Sequence, residues 1–145
     1  MTEDLIDIIP EKTVYTTRTI VASTFFGGIP AGAYMIYQNF KSFGEHKKAV
    51  ITIALSIVFL IALIGTSFIP ELDNIPGIFF TILITIIISL LTGKYQGKLI
   101  KKHIEADGKI HSTGRAVLIC IFSILVFVGL ALGAFLLQDL AVNNP

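Results

Sequence analysis

The chain has 145 residues, of which 54% are hydrophobic and 14% charged, and its net charge is +1. Its mean hydropathy is +0.82. Ordinary soluble domains carry about a quarter charged residues, so this composition excludes a typical soluble domain and indicates a membrane protein. The single cysteine, Cys120, excludes an internal disulfide and Cys-x-x-Cys redox chemistry.

Four apolar stretches follow one another along the chain, each near twenty residues long and free of charged side chains: 19–37, 49–69, 75–93 and 116–137. A helix needs about twenty apolar residues to cross the ~30 Å hydrocarbon core of a bilayer. The sequence therefore predicts an all-α, polytopic membrane protein. We expect one membrane domain over residues 1–145, with four transmembrane helices arranged as two tandem hairpins.

The first stretch is weaker than the others, because Gly27, Gly28, Pro30 and Gly32 interrupt it. Gly28 and Gly32 form a Gly-x-x-x-Gly pattern, which lets a second backbone approach closely. A proline inside a helix removes one hydrogen bond and kinks the helix. We expect a kinked helix that packs closely against a neighbour. The alternative is a discontinuous helix that lines a ligand or ion site.

Basic residues are concentrated in the connections 38–48 and 94–115, and only Lys12 and Arg18 lie elsewhere. Short cytoplasmic loops carry the excess of Lys and Arg in membrane proteins, so both connections are predicted to be cytoplasmic. With four crossings, both termini then face outward, in an N-out/C-out topology.

The third stretch carries hydroxyl side chains on one helical face, at Thr81, Thr85, Ser89 and Thr92. Such a stripe either lines a polar path or bonds to carbonyls of its own or a neighbouring helix. Inside the four stretches the sequence has no Asp, Glu, Lys, Arg or His, which argues against an ion-coupled or proton-coupled transporter.

Residues 94–106 form an amphipathic pattern, whose apolar face carries Tyr95, Leu99, Ile100, His103 and Ile104. We expect this segment to continue the third helix along the membrane surface, with Lys98, Lys101 and Lys102 in contact with anionic lipid.

The sequence lacks the motifs that are typical of metal sites, catalytic sites and nucleotide-binding sites. His46, His103 and His111 have no recognised metal-ligand spacing, and there is no nucleophile elbow, phosphate loop or dinucleotide fingerprint. We therefore expect no enzyme activity, no catalytic residues, no metal, no cofactor and no nucleic-acid partner.

The two halves of the chain are similar. Tyr37-Gln38 and Tyr95-Gln96 close the first and third stretches, while Lys48-Ala49-Val50 and Arg115-Ala116-Val117 open the second and fourth. Either one helical hairpin was duplicated in tandem, or apolar helices align here by chance.

A set of short motifs between Tyr15 and about Val117 carries a family resemblance: Phe25 to Tyr34, Gln38-Asn39-Phe40-Lys41, Gln96-Gly97 with His103, and Asp107-Gly108 with Ser112. The chain resembles a group of small uncharacterised bacterial membrane proteins, which have a Gly-Gly-Pro-like break in the first span and a Gln-Gly…His…Gly-Gly…Ser cytoplasmic loop. Here Pro30 comes one position later than in that pattern, and Asp107 replaces the first glycine of the pair. The resemblance implies no known activity. Besides the first-span break, it marks Asn39, Gln96, His103 and Ser112 as candidate functional residues.

The leading functional hypothesis is a non-enzymatic assembly, accessory or scaffold protein of the bacterial inner membrane. It would act through helix–helix contacts of the first span, as a homo-oligomer or with a membrane-protein partner. The alternative is an oligomeric pore or carrier for a small solute. A metal-site protein or membrane enzyme, based on the histidines, is a third hypothesis.

Overall fold

A computed structural model describes residues 12–66, 68–70 and 74–143 of the protein. Residues 141–143 are described by their backbone alone. The described part contains five helices: α1 (Thr17–Ser42), α2 (His46–Thr66), α3 (Gly77–Tyr95), α4 (Gly97–Glu105) and α5 (Thr113–Asn143). By length and composition, α1, α2, α3 and α5 can each cross a membrane. The predicted all-α class, with four long apolar helices, is confirmed.

α1 is not a straight rod, because its backbone reverses at Gly28. Gly28 has φ 70° and ψ −164°, a combination adopted essentially only by glycine, and it separates arms of residues 17–27 and 29–42. A straight helix of 26 residues would hold its ends about 39 Å apart. Instead, Ser42 Oγ donates a 3.1 Å hydrogen bond to the carbonyl of Thr13, which lies just before the first arm. The two arms therefore lie side by side as a helical hairpin.

Small residues let the arms meet each other and α5. A Cβ on Gly32 would overlap the side chain of Thr24 in the first arm, and a Cβ on Gly27 would lie 2.9 Å from Cα of Cys120 in α5. Pro30 lies in the first turn of the second arm, where a helix does not use the missing N–H. Pro30 thus begins an arm, whereas the sequence predicts that it kinks a continuous helix.

The hairpin occupies the centre of the molecule and packs against α2, α3 and α5. In its most apolar 18-residue stretch 56% of residues are buried, against 6%, 6% and 11% for α2, α3 and α5. Backbone that enters a bilayer without crossing it is tolerated only where protein or water covers it. Here the three outer helices provide that cover.

The reversal of α1 differs from the straight crossing predicted at residues 19–37. At a rise of 1.5 Å per residue its arms are about 17 and 21 Å long, shorter than the ~30 Å hydrocarbon core. Both ends of α1 lie at the end of the molecule that holds the connections 43–45 and 106–112. Because α3 does not reverse in this way, the similarity between the two halves does not extend to three dimensions.

This course gathers the basic residues at one end. Lys12 precedes the Thr13 contact and Arg18 lies in the first turn of α1, so both join the Lys and Arg residues of the two basic connections. All eleven basic residues of the chain lie at this end, which we call the basic end.

Helix boundaries at the basic end follow local chemistry. Gly44, with φ 77°, follows the C-cap Phe43 of α1. The Ser112 side chain accepts a 3.4 Å hydrogen bond from Arg115 N and thereby caps α5. α4 begins after a break at Gln96, so it is a separate helix and not the predicted continuation of α3.

The hairpin predicts which side of the membrane the first described residues occupy. Lys12 and Lys109 are exposed at the basic end, and Phe68 is exposed at the opposite end. In a Cys120→Ala background, Lys12→Cys and Lys109→Cys should react with a membrane-impermeant maleimide from one side, and Phe68→Cys from the other. Labelling of Lys12→Cys from the Phe68 side would contradict the hairpin.

Gly28→Ala should destabilise the protein through the backbone alone, because a Cβ at Gly28 meets only Pro30, at 3.8 Å. We expect a loss of about 1–3 kcal/mol, measured by unfolding in a mild detergent. The matched control is Gly129→Ala, which lies within α5 in open space and should be neutral or slightly stabilising. Equal effects of the two substitutions would refute the reversal at Gly28.

Candidate functional site

Asn39, in the second arm of α1, binds both backbone polar groups of Tyr15. The Tyr15 N–H donates to Asn39 Oδ1 at 2.7 Å, and Asn39 Nδ2 donates to the Tyr15 carbonyl at 2.8 Å. Both residues are fully buried. One side-chain amide thus satisfies an extended backbone and holds residues 12–16, which we call the strap, against the hairpin.

Gln96 connects the end of α3 to the same place. Its Oε1 accepts a 3.3 Å hydrogen bond from Asn39 Nδ2, and its Nε2 donates to the Ile36 carbonyl at 2.8 Å. Gln96 is also fully buried. We call Asn39, Gln96 and the Tyr15 backbone the polar joint, because they tie the strap, the second arm and α3 together.

His103, on the buried face of α4, fixes the following connection. Its Nε2 lies 3.0 Å from the Lys109 carbonyl, and because a carbonyl only accepts, Nε2 carries the proton. The same carbonyl accepts the Val14 N–H at 3.1 Å, and the Val14 carbonyl accepts the His111 N–H at 3.0 Å. The strap, α4 and the connection to α5 therefore meet at one peptide group.

The turn after α4 is shaped around the His103 ring. Asp107 has φ 56°, a left-handed conformation that Asp tolerates better than most residues. A Cβ on Gly108 would collide with the ring of His103. The left-handed position thus accommodates Asp107, whereas the position of Gly108 requires a glycine.

The Tyr15 side chain of the strap lies next to His111 and is influenced by the charge of Arg115. The rings of Tyr15 and His111 lie 4.2 Å apart between centroids, tilted by 33°. Burial raises the pKa of the Tyr15 phenol, and the charge of Arg115 opposes this shift. Burial, together with Arg115, lowers the pKa of His111. Near pH 7 both side chains are therefore uncharged.

The structure brings Asn39, Gln96 and His103 together at the basic end, whereas Ser112 is exposed and serves as a helix cap. Lys98, Lys101 and Lys102 are exposed on α4, while Ile100 and His103 are buried. Tyr95 and Ile104 belong to the same predicted apolar face but are exposed.

The hydroxyl stripe of α3 does not form a continuous polar path. Thr81 and Thr85 donate to the carbonyls of Gly77 and Thr81 at 3.3 and 2.8 Å, so each bonds within its own helix. Ser89 is half-buried, and Thr92 is buried near the basic end. Thr92 differs from the first two, because its Oγ1 has no hydrogen-bond partner among the described residues.

In the described part of the chain, no three His, Cys, Asp or Glu side chains lie close enough together to hold a metal ion. His46 is exposed at the start of α2, His103 bonds to Lys109, and His111 packs on Tyr15.

Sequence reasoning missed the strap. Val14 and Tyr15 take part chiefly through their backbone, and Lys109 through its carbonyl, so their side chains give no signal of the role. The available signal was Lys12 and Arg18, the two basic residues that did not fit the predicted topology.

The fold defines the class: an α-helical, multi-pass membrane architecture, in which three long apolar helices surround a helical hairpin. Comparisons with known protein families, with curated proteins and with solved structures find no match to this chain. The resemblance described above therefore stays a prediction.

Asn39→Ala should detach the strap, because it leaves the buried N–H and C=O of Tyr15 without partners. Each such group costs about 1–3 kcal/mol, so we expect a loss of about 2–5 kcal/mol and faster hydrogen exchange at the Tyr15 amide. The control is Gln38→Ala, which removes only a half-buried bond to Tyr34. Unchanged exchange at Tyr15 in Asn39→Ala would contradict this role.

Gly108→Ala and His103→Ala should be strongly coupled. Gly108→Ala alone should destabilise the protein, because the added methyl group collides with the His103 ring. In the double variant the ring is absent, so the methyl group has room. The double variant should therefore lose at least about 1 kcal/mol less than the sum of the single losses, measured by unfolding. Gly114→Ala, which meets nothing within 4 Å, should be additive with His103→Ala. Additive losses in the Gly108 cycle would show that the ring does not need this glycine.

Proposed function

We propose that this protein is a non-enzymatic assembly or accessory protein of a membrane. The hydrogen bonding of the polar joint is the observation that supports this proposal. The side-chain amides of Asn39 and Gln96 bond to each other and to backbone groups of Tyr15 and Ile36. A catalytic or transport site needs polar groups that can turn to a substrate. This cluster instead holds the protein's own segments in place.

The outer faces of α2, α3 and α5 are the surface offered to lipid and to other membrane proteins. Phe122 and Leu125 on α5 are 68% and 65% exposed, and similar side chains cover α2 and α3. The small residues Gly27 and Gly32 are used inside the chain, against α5 and Thr24. The proposed assembly therefore relies on the outer helices, and no longer on the first stretch.

We also propose that the basic end faces the cytoplasm of a bacterial cell, in the inner membrane. The hairpin supports this orientation, because it brings Lys12 and Arg18 to the same end as the other nine basic residues. In this topology α2, α3 and α5 cross the membrane. The strap lies inside the cell and the end of α5 outside, which replaces the predicted N-out/C-out arrangement.

The test is the mass of the full-length protein extracted in a native-like membrane mimic, combined with photo-crosslinkers at outward and buried positions. We expect a complex of fixed stoichiometry, and a single crosslinked partner from exposed Leu118 or Phe122 but not from buried Ala116. A monomeric mass without adducts would overturn the assembly role.

A pore or carrier for a small solute is the second candidate, and the hairpin is the observation that favours it. Half-length helices within membranes recur where backbone groups line a path for ions or substrates. In this case the reconstituted protein should conduct a solute above the level of empty liposomes, and Gly28→Ala should reduce the flux. Flux at the level of empty liposomes over a broad panel of ions and small solutes would reject this function.

A further inference from the structure

A groove of about 570 Å³ lies between α2 and α3, over the second arm of α1. Its floor is formed by Ile29, Ala33, Ile36 and Phe40, and α2 and α3 form its two walls. It exists because both walls pack on the hairpin, which holds them on either side of the second arm.

The two ends of the groove differ in chemistry. At the basic end its lining includes Lys48 and Thr52 from α2, Thr92 from α3, and Gln96 directly after α3. Further from that end the lining includes Leu55 and Phe59 from α2 and Ile84 and Ile88 from α3. A molecule that fits this division is charged or polar at one end and apolar along its length.

The length of the groove matches one leaflet of a bilayer. Lys48 and Phe59 are about 16 Å apart along α2, and Tyr95 and Ile84 about 16 Å apart along α3, at 1.5 Å per residue. Half of the ~30 Å hydrocarbon core is about 15 Å. An acyl chain that enters at the basic end would therefore be covered over about the depth of one leaflet.

Thr92 supplies an observation that points to a ligand. It is 1% exposed and lines the groove, yet its Oγ1 has no hydrogen-bond partner among the described residues. Two neighbouring polar groups of the lining are bonded: Thr52 donates to the Lys48 carbonyl, and Gln96 belongs to the polar joint. A buried, unpaired hydroxyl is costly, and an ester or phosphate oxygen in the groove would remove that cost.

Lys48 supplies the complementary charge. Its side chain is 51% exposed and pairs with Glu45, and its Nζ lies 5.9 Å from the centroid of the Phe40 ring. An ammonium group has three donors, and an exposed pair of this kind is weak, so Lys48 can also bind an anion.

We propose that the groove binds one phospholipid, with an acyl chain between α2 and α3 and an anionic headgroup at Lys48 and Thr92. This site differs from a general attraction of the α4 lysines for anionic lipid, because it holds a single molecule in a fixed place. It requires the membrane placement of α2 and α3, but not the proposed assembly role.

The experiment is native mass spectrometry of the full-length protein, stripped of lipid and then titrated with phosphatidylglycerol or phosphatidylcholine of identical chains. We expect one phosphatidylglycerol to bind per chain, more tightly than phosphatidylcholine. Lys48→Gln should weaken phosphatidylglycerol binding about fivefold, the equivalent of ~1 kcal/mol per basic residue at an anionic surface. Lys47→Gln, at an exposed position outside the groove lining, is the matched control.

Two further variants separate binding from folding. Leu55→Trp fills the groove from its wall and should abolish binding, whereas Leu125→Trp makes the same change on the outside of α5. Thr92→Val should weaken binding without destabilising the lipid-free protein, because the hydroxyl it removes is unpaired.

Equal binding by Leu55→Trp and Leu125→Trp, or loss of stability without loss of binding in Thr92→Val, would overturn the proposal. Dimers that form without lipid and that Leu55→Trp dissociates would also overturn it, because a second copy would then fill the groove. Lipid binding and the mass of the native complex are read separately, so failure of either proposal can be recognised by itself.

Discussion

The pairing of the Asn39 side chain with both backbone groups of Tyr15 is the interaction on which the rest of the structure depends. It fastens the strap to the second arm of α1, and through Gln96 it fastens both to α3. The buried apolar cluster lies around the same place, with Tyr15, Phe40, Ala49, Ile100 and Ala116 among its members. These residues come from the strap and from α1, α2, α4 and α5, so a single neutral joint organises every helix at the basic end.

A bilayer imposes a constraint on any helical hairpin that lies within it. Peptide groups at the tip cannot bond to water, and hydrocarbon offers no replacement. Below the tip, two side chains donate to carbonyls of the first arm: Cys120 of α5 donates from its thiol to the Ser23 carbonyl at 3.7 Å, and Thr24 bonds back to the Ile20 carbonyl at 2.8 Å. The outer helices can remain almost entirely exposed to lipid, because their own backbones are satisfied internally.

The length of the apolar stretches predicted the all-α class and the location of the long helices, because each of α2, α3 and α5 contains one unbroken apolar run. It could not predict the hairpin, since a single residue with positive φ reverses the chain without changing hydropathy. Gly27, Gly28 and Pro30 marked the place of the break, but they did not distinguish a kink from a reversal. Asn39, Gln96 and His103 were identified as candidates. Apart from the bond between Asn39 and Gln96, their partners are backbone atoms of residues 15, 36 and 109, which no side-chain pattern reveals.

The contact between Gly27 and Cys120 has a consequence for biosynthesis. The two residues are separated by more than ninety positions, so the tip of α1 leaves the ribosome about 5–20 seconds before the helix that covers it, at ordinary elongation rates. The Val14 and Lys109 contact spans a similar interval. Of the described helices, the first to be made is therefore the last to be completed, and the nascent chain must hold a marginally apolar, glycine-rich segment near the membrane surface until α5 arrives. A membrane insertase or chaperone that shields such a segment would act within that interval.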